Sequence, residues 1–120
     1  MTQTALTREQ VLAMEPGQEL DALVAQHVMG WHKGDPWGGA YWVDSDKCLR
    51  YEILVFKPSL HINIAWGVGE WFAETGIRGR YAKRLKEVIL ANKGECSTFD
   101  MVHASPADRC KAALLAVLDL

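Results

Sequence analysis

The chain has 120 residues, of which 49% are hydrophobic and 23% charged. This composition is typical of a globular domain with its own core and excludes a disordered chain. The net charge of −2 gives no general attraction to nucleic acid or to anionic membranes. We therefore expect one domain over residues 1–120, without general nucleic-acid binding.

No apolar run approaches the roughly 20 residues of a membrane span. The N-terminal segment MTQTALTREQ has no apolar core of signal-peptide length. Cys48, Cys96 and Cys110 are an odd number of cysteines at wide spacings, which is typical of free thiols in a reducing compartment. These features predict a cytoplasmic protein that does not enter the membrane.

Two helices are predicted at the start of the chain. Thr7 and Gln10 have the spacing of a capping box, which predicts a short helix over about residues 8–14. A second helix has Pro16 in its first turn and Gly30 just after its end. Its apolar stripe consists of Leu20, Leu23, Val24, His27 and Val28. This stripe predicts that His27 is a hydrogen-bonded core histidine.

A strand and a third helix are predicted in the middle of the chain. LRYEILVFK, residues 49–57, is rich in β-branched and aromatic residues and predicts a strand of about seven residues, buried near its end. The helix that follows has Ser59 as its N-cap and Gly76 after its end. Its predicted apolar stripe is Leu60, Ile64, Val68, Trp71 and Phe72. Gly67 and Gly69 would allow this helix to pack closely against a sheet.

The last third of the chain is less uniform. Residues 80–90 fit either a helix or a strand, and we favour a strand that pairs with residues 95–104 in a hairpin. The final segment predicts a helix with Ser105 as N-cap, Pro106 in its first turn and Cys110 on its core face. Helices and a small sheet in this order predict an α+β protein. We expect an αβα sandwich whose small, mostly antiparallel sheet is covered by about three helices.

Three segments carry a resemblance to a known family. LTREQVLAMEPGQELDALVAQHVMGW and ASPADRCKAALLAVL resemble the two ends of the phage αβα ("ABA") sandwich domain family. SLHINIAWGVGEWF is similar to the middle helix of that family, with Ser59 and the pair Ala65–Trp66 in place. Leu60 and His61 replace the Thr-Asp of the family pattern. The resemblance implies an αβα sandwich, a phage or prophage origin and a bacterial host cell, with no established activity and no functional residues to transfer.

Two segments are candidate binding surfaces. The glycine-rich loop GWHKGDPWGGAYW contains Trp37, Tyr41 and Trp42, residue types that are enriched at binding hot spots. Packing in the core is the alternative for these aromatic side chains. The second segment is a basic run without an acidic residue: Arg78, Arg80, Lys83, Arg84 and Lys86. As a strand it would place Lys83 on one face and Arg80, Arg84 and Lys86 on the other, where they would bind an acidic partner or protect a sheet edge.

Few residues indicate chemistry. The four histidines lack the close spacing of zinc ligands, so we expect neither a metal nor a cofactor. Cys110 lies a full turn inside its helix, which favours a structural cysteine over a nucleophile paired with His103. Asp44 and Asp46 are attributed to an Asx turn.

The sequence therefore predicts a non-enzymatic phage-type accessory protein. It would bind and modulate a host protein, for example by inhibiting a bacterial defence complex in an anti-CRISPR-like manner. One alternative is a binder that sequesters a nucleotide signal with Arg78, Arg80, Arg84 and Trp37. Another is a cysteine-dependent hydrolase that uses Cys110 and His103. An exposed aromatic loop would also be compatible with a homodimer.

Overall fold

A computed structural model describes residues 6–33, 41–44, 46, 49–73 and 75–120. The described helices and strands are, in chain order, α1 (Arg8–Ala13), α2 (Gln18–Leu23) with a π-helical continuation (Val24–Val28), β1 (His32–Lys33), β2 (Tyr41–Val43), β3 (Leu49–Glu52), α3 (Ile62–Ala73), α4 (Arg78–Lys93), α5 (Thr98–Val102) and α6 (Pro106–Leu118). This composition confirms the predicted α+β class.

The last helix forms the centre of the core. Its N-terminus is the predicted one, because Ser105 Oγ accepts a 3.1 Å hydrogen bond from the Asp108 N–H and Pro106 occupies the first turn. Every residue from 109 to 116 is buried. A helix that is buried all round needs neighbours on each side, and α6 packs against α1, α2, the π-helical segment, α3 and α4.

The first two helices follow the sequence signals in part. The Thr7–Gln10 capping box is confirmed, with both reciprocal hydrogen bonds formed. Helix α2 begins at Gln18, so Pro16 precedes the first turn. The π-helical segment buries Ala25 and leaves His27 exposed. The prediction of a core histidine is wrong because the buried side of this helix is rotated relative to a regular 3.6-residue stripe.

The sheet is short and antiparallel, in the order β1-β2-β3. Lys33 pairs with Trp42, and Trp42 pairs with Tyr51, with an irregularity between Trp42 and Val43. Strand β3 ends at Glu52, earlier than predicted. The N–H groups of residues 55 and 56 both donate to the Glu52 carbonyl, at 3.0 and 3.1 Å, so the chain turns there instead of continuing the ladder.

Helix α3 also begins later than predicted. Ser59 is not its N-cap, since the helix starts at Ile62. Instead, Ser59 is buried, its N–H donates to Asp21 and its Oγ accepts from the Gly17 N–H at 3.0 Å. Leu60 is exposed and leaves the predicted core stripe. The helix packs against α6 and α4, where we had expected a sheet.

The predicted strands in the last third are helices. Residues 78–93 form α4, because Leu85, Val88 and Ile89 share one helical face that packs against α6. Gly94, between the two predicted strands, has φ 81° and ends the helix instead of turning a hairpin. Residues 98–102 form α5, whose start is fixed by a capping box between Ser97 and Asp100. That local capping overrides the weak alternation of the segment.

Candidate functional site

The aromatic loop is not displayed as an exposed surface in the part that the structure describes. Trp37 lies outside the described residues. Tyr41 is half-buried, and Trp42 is only 1% exposed. The Nζ of Lys33 lies 5.7 Å from the centroid of the Trp42 ring and covers it further. Trp42 is therefore a core residue, which agrees with the packing alternative for this side chain.

The basic run is helical, so its side chains do not line a strand as predicted. The helical period places Arg80, Arg84 and Glu87 on one side of α4. Nη1 of Arg84 donates to Glu87 at 3.1 Å, and Nη1 of Arg80 donates to the Ala116 carbonyl at 3.2 Å. Both arginines therefore make contacts within the fold. Arg80 is nevertheless exposed, as are Arg78, Lys83 and Lys86.

Capping of helix C-termini accounts for several cationic side chains. Arg8 and Arg80 donate to carbonyl groups at the end of α6. Lys111 donates to a carbonyl in the last turn of α1, and Arg109 donates to carbonyls at the end of α5. Cations stabilise the negative end of the helix dipole. These charges therefore have a structural task that the sequence pattern did not reveal.

Cys110 is confirmed as a core cysteine. Its side chain is fully buried, and this burial raises the pKa of the thiol, with the charge of Asp21 adding to the effect. A thiol that stays protonated in the core is a poor nucleophile. His103 is exposed, and its ring centroid lies 4.1 Å from that of Phe99. The geometry of Cys110 therefore disfavours this thiol as a nucleophile.

The predicted Asx turn is confirmed at Asp44. Its Oδ1 accepts a 2.9 Å hydrogen bond from the Asp46 N–H, and its Oδ2 lies 2.7 Å from Nη2 of Arg50. Within the described part of the chain, no group of three or more histidine, cysteine, aspartate or glutamate side chains could hold a metal ion.

The clearest surface feature is a series of large apolar side chains that face solvent between residues 54 and 66. We call it the apolar face, and its members are Leu54, Val55, Leu60, Ile62 and Trp66. Leu54 is 72% exposed and Trp66 is 54% exposed. Sequence patterns missed this face, because the first two residues looked like a buried strand end and Leu60 like part of a helix stripe.

A groove runs beside the apolar face, between α2 and residues 53–60. Two adjoining cavities of about 300 and 240 Å³ share Gln18, Asp21, Ile53 and Phe56 as lining residues. Burial raises the pKa of Asp21, while hydrogen bonds from Ser59 oppose that shift. The hydrogen bond from Ser59 to Asp21 thus ties the segment that carries Leu54 and Leu60 of the apolar face to α2.

Comparison with known proteins points to one family. The family model described as the phage ABA sandwich domain matches residues 22–114, from α2 into α6. No curated protein and no solved structure matches the chain. Among the described residues, no helix is both long enough and apolar enough to span a bilayer.

Proposed function

Because the chain belongs to the phage ABA sandwich domain family, we propose that it is a non-enzymatic phage accessory protein that binds a bacterial host protein through its apolar face. The observation that carries this proposal is the exposure of five large apolar side chains along residues 54–66. Large apolar side chains exposed close together in the chain are typical of interaction sites.

The chemistry of the surroundings fits a protein partner. Lys57, His61 and Glu70 are exposed beside the apolar face and provide a mixed polar rim. Protein interfaces commonly combine an apolar centre with such a rim. Trp66 supplies a large aromatic anchor of the kind that dominates binding energy.

Inhibition is the mode of action that we propose. As a non-enzymatic protein of 13.4 kDa, it would act on a larger partner by occupying part of its surface. A component of a bacterial defence complex is the kind of host partner that such a phage protein would block. Neither alternative function gains support, because Arg80 and Arg84 are engaged within the fold and Cys110 is buried.

The proposal is tested by comparing capture of host proteins by matched variants. The tagged chain is incubated with lysate of the host, beside a double variant Leu60→Asp, Ile62→Asp and a control Phe99→Asp. Phe99 is 69% exposed, more than Leu60 and Ile62, and lies on α5, outside the apolar face. We expect a partner that the parent and the control retain and the double variant loses. Thermal unfolding must show that all three proteins are folded.

Two results would contradict the proposal. One is that the double variant captures the same host proteins as the parent. The other is that light scattering shows a dimer that only the double variant dissociates, since the apolar face would then serve a second copy of the chain. A captured partner is then tested for loss of its activity on addition of the parent protein.

A further inference from the structure

A second, smaller cleft lies between α3, α4 and α6. Its volume is about 180 Å³, and it is lined by Trp66, Gly69, Glu70, Tyr81 and Arg109. Pockets for drug-sized ligands measure about 300–1,000 Å³. The cleft therefore has room for one small molecule or for one chemical group of a larger one.

Arg109 brings a buried positive charge to this cleft. Its side chain is only 8% exposed, and Nε and Nη2 donate to the carbonyls of Ala104 and Val102 at 3.0 and 2.7 Å. No carboxylate of a described residue lies within ion-pair distance of it. A guanidinium has five N–H donors, and Nη1 donates to no described residue. Buried charges are normally paired; this guanidinium caps the end of α5, but no carboxylate of a described residue neutralises its charge.

Tyr81 adds a hydroxyl next to this guanidinium. Its Oη is buried and makes no hydrogen bond of ordinary geometry to a described residue, but Arg109 is close enough to oppose the rise in the Tyr81 pKa that burial causes. The ring is fixed by stacking on Phe72, with centroids 4.7 Å apart and planes 12° from parallel. A Cβ at position 69 would lie 3.3 Å from Oη, so glycine is what lets the hydroxyl sit there. The protein thus holds an unsatisfied donor in place beside the cleft.

The remaining walls narrow the choice of ligand. The Trp66 ring lies 5.2 Å from Cζ of Arg109 and offers a flat apolar surface at the mouth. Glu70 contributes a negative charge to the lining. A phosphate dianion would meet this carboxylate with only one unpaired cation to offset it. A carboxylate carries a single charge and matches the planar fork of a guanidinium.

From this geometry we propose that the cleft binds the carboxylate of a small organic acid, with Arg109 and Tyr81 as donors and Trp66 against the apolar part of the acid. The proposal does not depend on the apolar face, because the cleft is a separate cavity that reaches only Trp66 of that face. It assigns this chain a small-molecule ligand in addition to a protein partner.

The test is a titration of the ¹⁵N-labelled protein with sodium benzoate, followed through the Arg109 Nε–H and Trp66 indole N–H signals. Benzyl alcohol serves as the neutral probe of the same shape and inorganic phosphate as the other anion, at matched ionic strength. We expect saturable shifts with benzoate alone. Equal shifts with benzyl alcohol, equal or larger shifts with phosphate, or no shift with benzoate would each overturn the proposal.

Variants test the assigned donors. Tyr81→Phe should weaken benzoate binding about ten-fold, since a hydrogen bond to a charged group is lost. The same variant should lose little thermal stability, because the hydroxyl makes no hydrogen bond of ordinary geometry to a described residue. Glu70→Gln should tighten binding about three-fold by removing a like charge, whereas Glu95→Gln, an exposed acid on the α4–α5 connection, should not change it. Unchanged affinity in both Tyr81→Phe and Glu70→Gln would show that benzoate binds elsewhere.

Discussion

The backbone N–H of Ser59 donates a 2.8 Å hydrogen bond to Oδ1 of Asp21, which ties α2 to the segment before α3. Both residues are buried. The bond fixes the turn at residues 58–60, immediately beside Leu60 and Ile62 of the apolar face. The exposure of that face therefore depends on a polar contact in the core below it.

Replacement of Asp21 by asparagine tests the electrostatic cost of this contact. Burial raises the pKa of Asp21 above 3.8, so the folded state binds its proton more tightly than the unfolded chain. The stability contributed by this group therefore falls as the pH rises from 3.8 through the raised value. The amide of Asp21→Asn still accepts the Ser59 N–H but carries no charge. We expect urea unfolding to show no loss of stability in this pH window for the variant, and equal or higher stability than the parent at neutral pH.

Asp100 provides a control, because its pKa is shifted in the opposite direction from that of Asp21. Its hydrogen bond from Lys93 at 2.6 Å and those from Ser97 lower its pKa to about 2. The stability that it contributes is present above 3.8 and is lost as the pH falls toward about 2. Asp100→Asn should remove only this loss of stability between pH 3.8 and about 2. If the free energy of unfolding of Asp21→Asn fell as steeply with pH above pH 3.8 as that of the parent, the electrostatic role of Asp21 would be refuted.

Arg80→Ala should destabilise the protein more than Lys83→Ala. Arg80 donates to the Ala116 carbonyl near the end of α6, and its Nε lies 3.9 Å from Asp119. Loss of a cation from a helix C-terminus together with a hydrogen bond costs about 1 kcal/mol. Lys83 is exposed on the same helix, and its truncation should change the free energy of unfolding by less than about 0.5 kcal/mol. Denaturant midpoints of the two variants measure the difference. Equal losses would mean that Arg80 has no capping role.

Local signals were the part of this fold that sequence could predict. Thr7 with Gln10 and Ser105 with Pro106 mark helix starts correctly, because a cap is satisfied by atoms within the same turn. Helix α4 was missed since its few apolar residues fit two periods, and only the neighbouring α6 decides between them. The membership of the family was also correctly inferred, from segments at both ends of the chain.

The candidate sites were less accessible to sequence analysis. Arg109 and Tyr81 come from different helices, and nothing local indicates that they meet. The glycine-rich loop left both a binding surface and core packing open for Trp42, and the sheet carries it into the core. Exposure and proximity are tertiary properties, so composition and spacing alone could not supply them.

Gly67 and Gly69 form a matched pair on α3 that tests the geometry of the small cleft. A Cβ at Gly67 would meet nothing within 4 Å. Alanine is favoured over glycine inside a helix, so Gly67→Ala should stabilise the protein by about 1 kcal/mol. A Cβ at Gly69 would press on the Tyr81 hydroxyl at 3.3 Å, and stacking on Phe72 holds that ring in place. Gly69→Ala should therefore gain nothing or lose stability.

A double variant separates the contact of the residue 69 Cβ with the Tyr81 hydroxyl from the effect of alanine on helix propensity. In Gly69→Ala, Tyr81→Phe the hydroxyl is absent, and the nearest ring atom would be Cζ at 3.7 Å, an ordinary contact. The gain expected from helix propensity should then return, to about 1 kcal/mol above Tyr81→Phe alone. Thermal unfolding of the parent, the single variants and the double variant completes the cycle. If Gly69→Ala were as stabilising as Gly67→Ala, Tyr81 would not be fixed against α3, and the hydroxyl assigned to the carboxylate would not be held in place before the ligand binds.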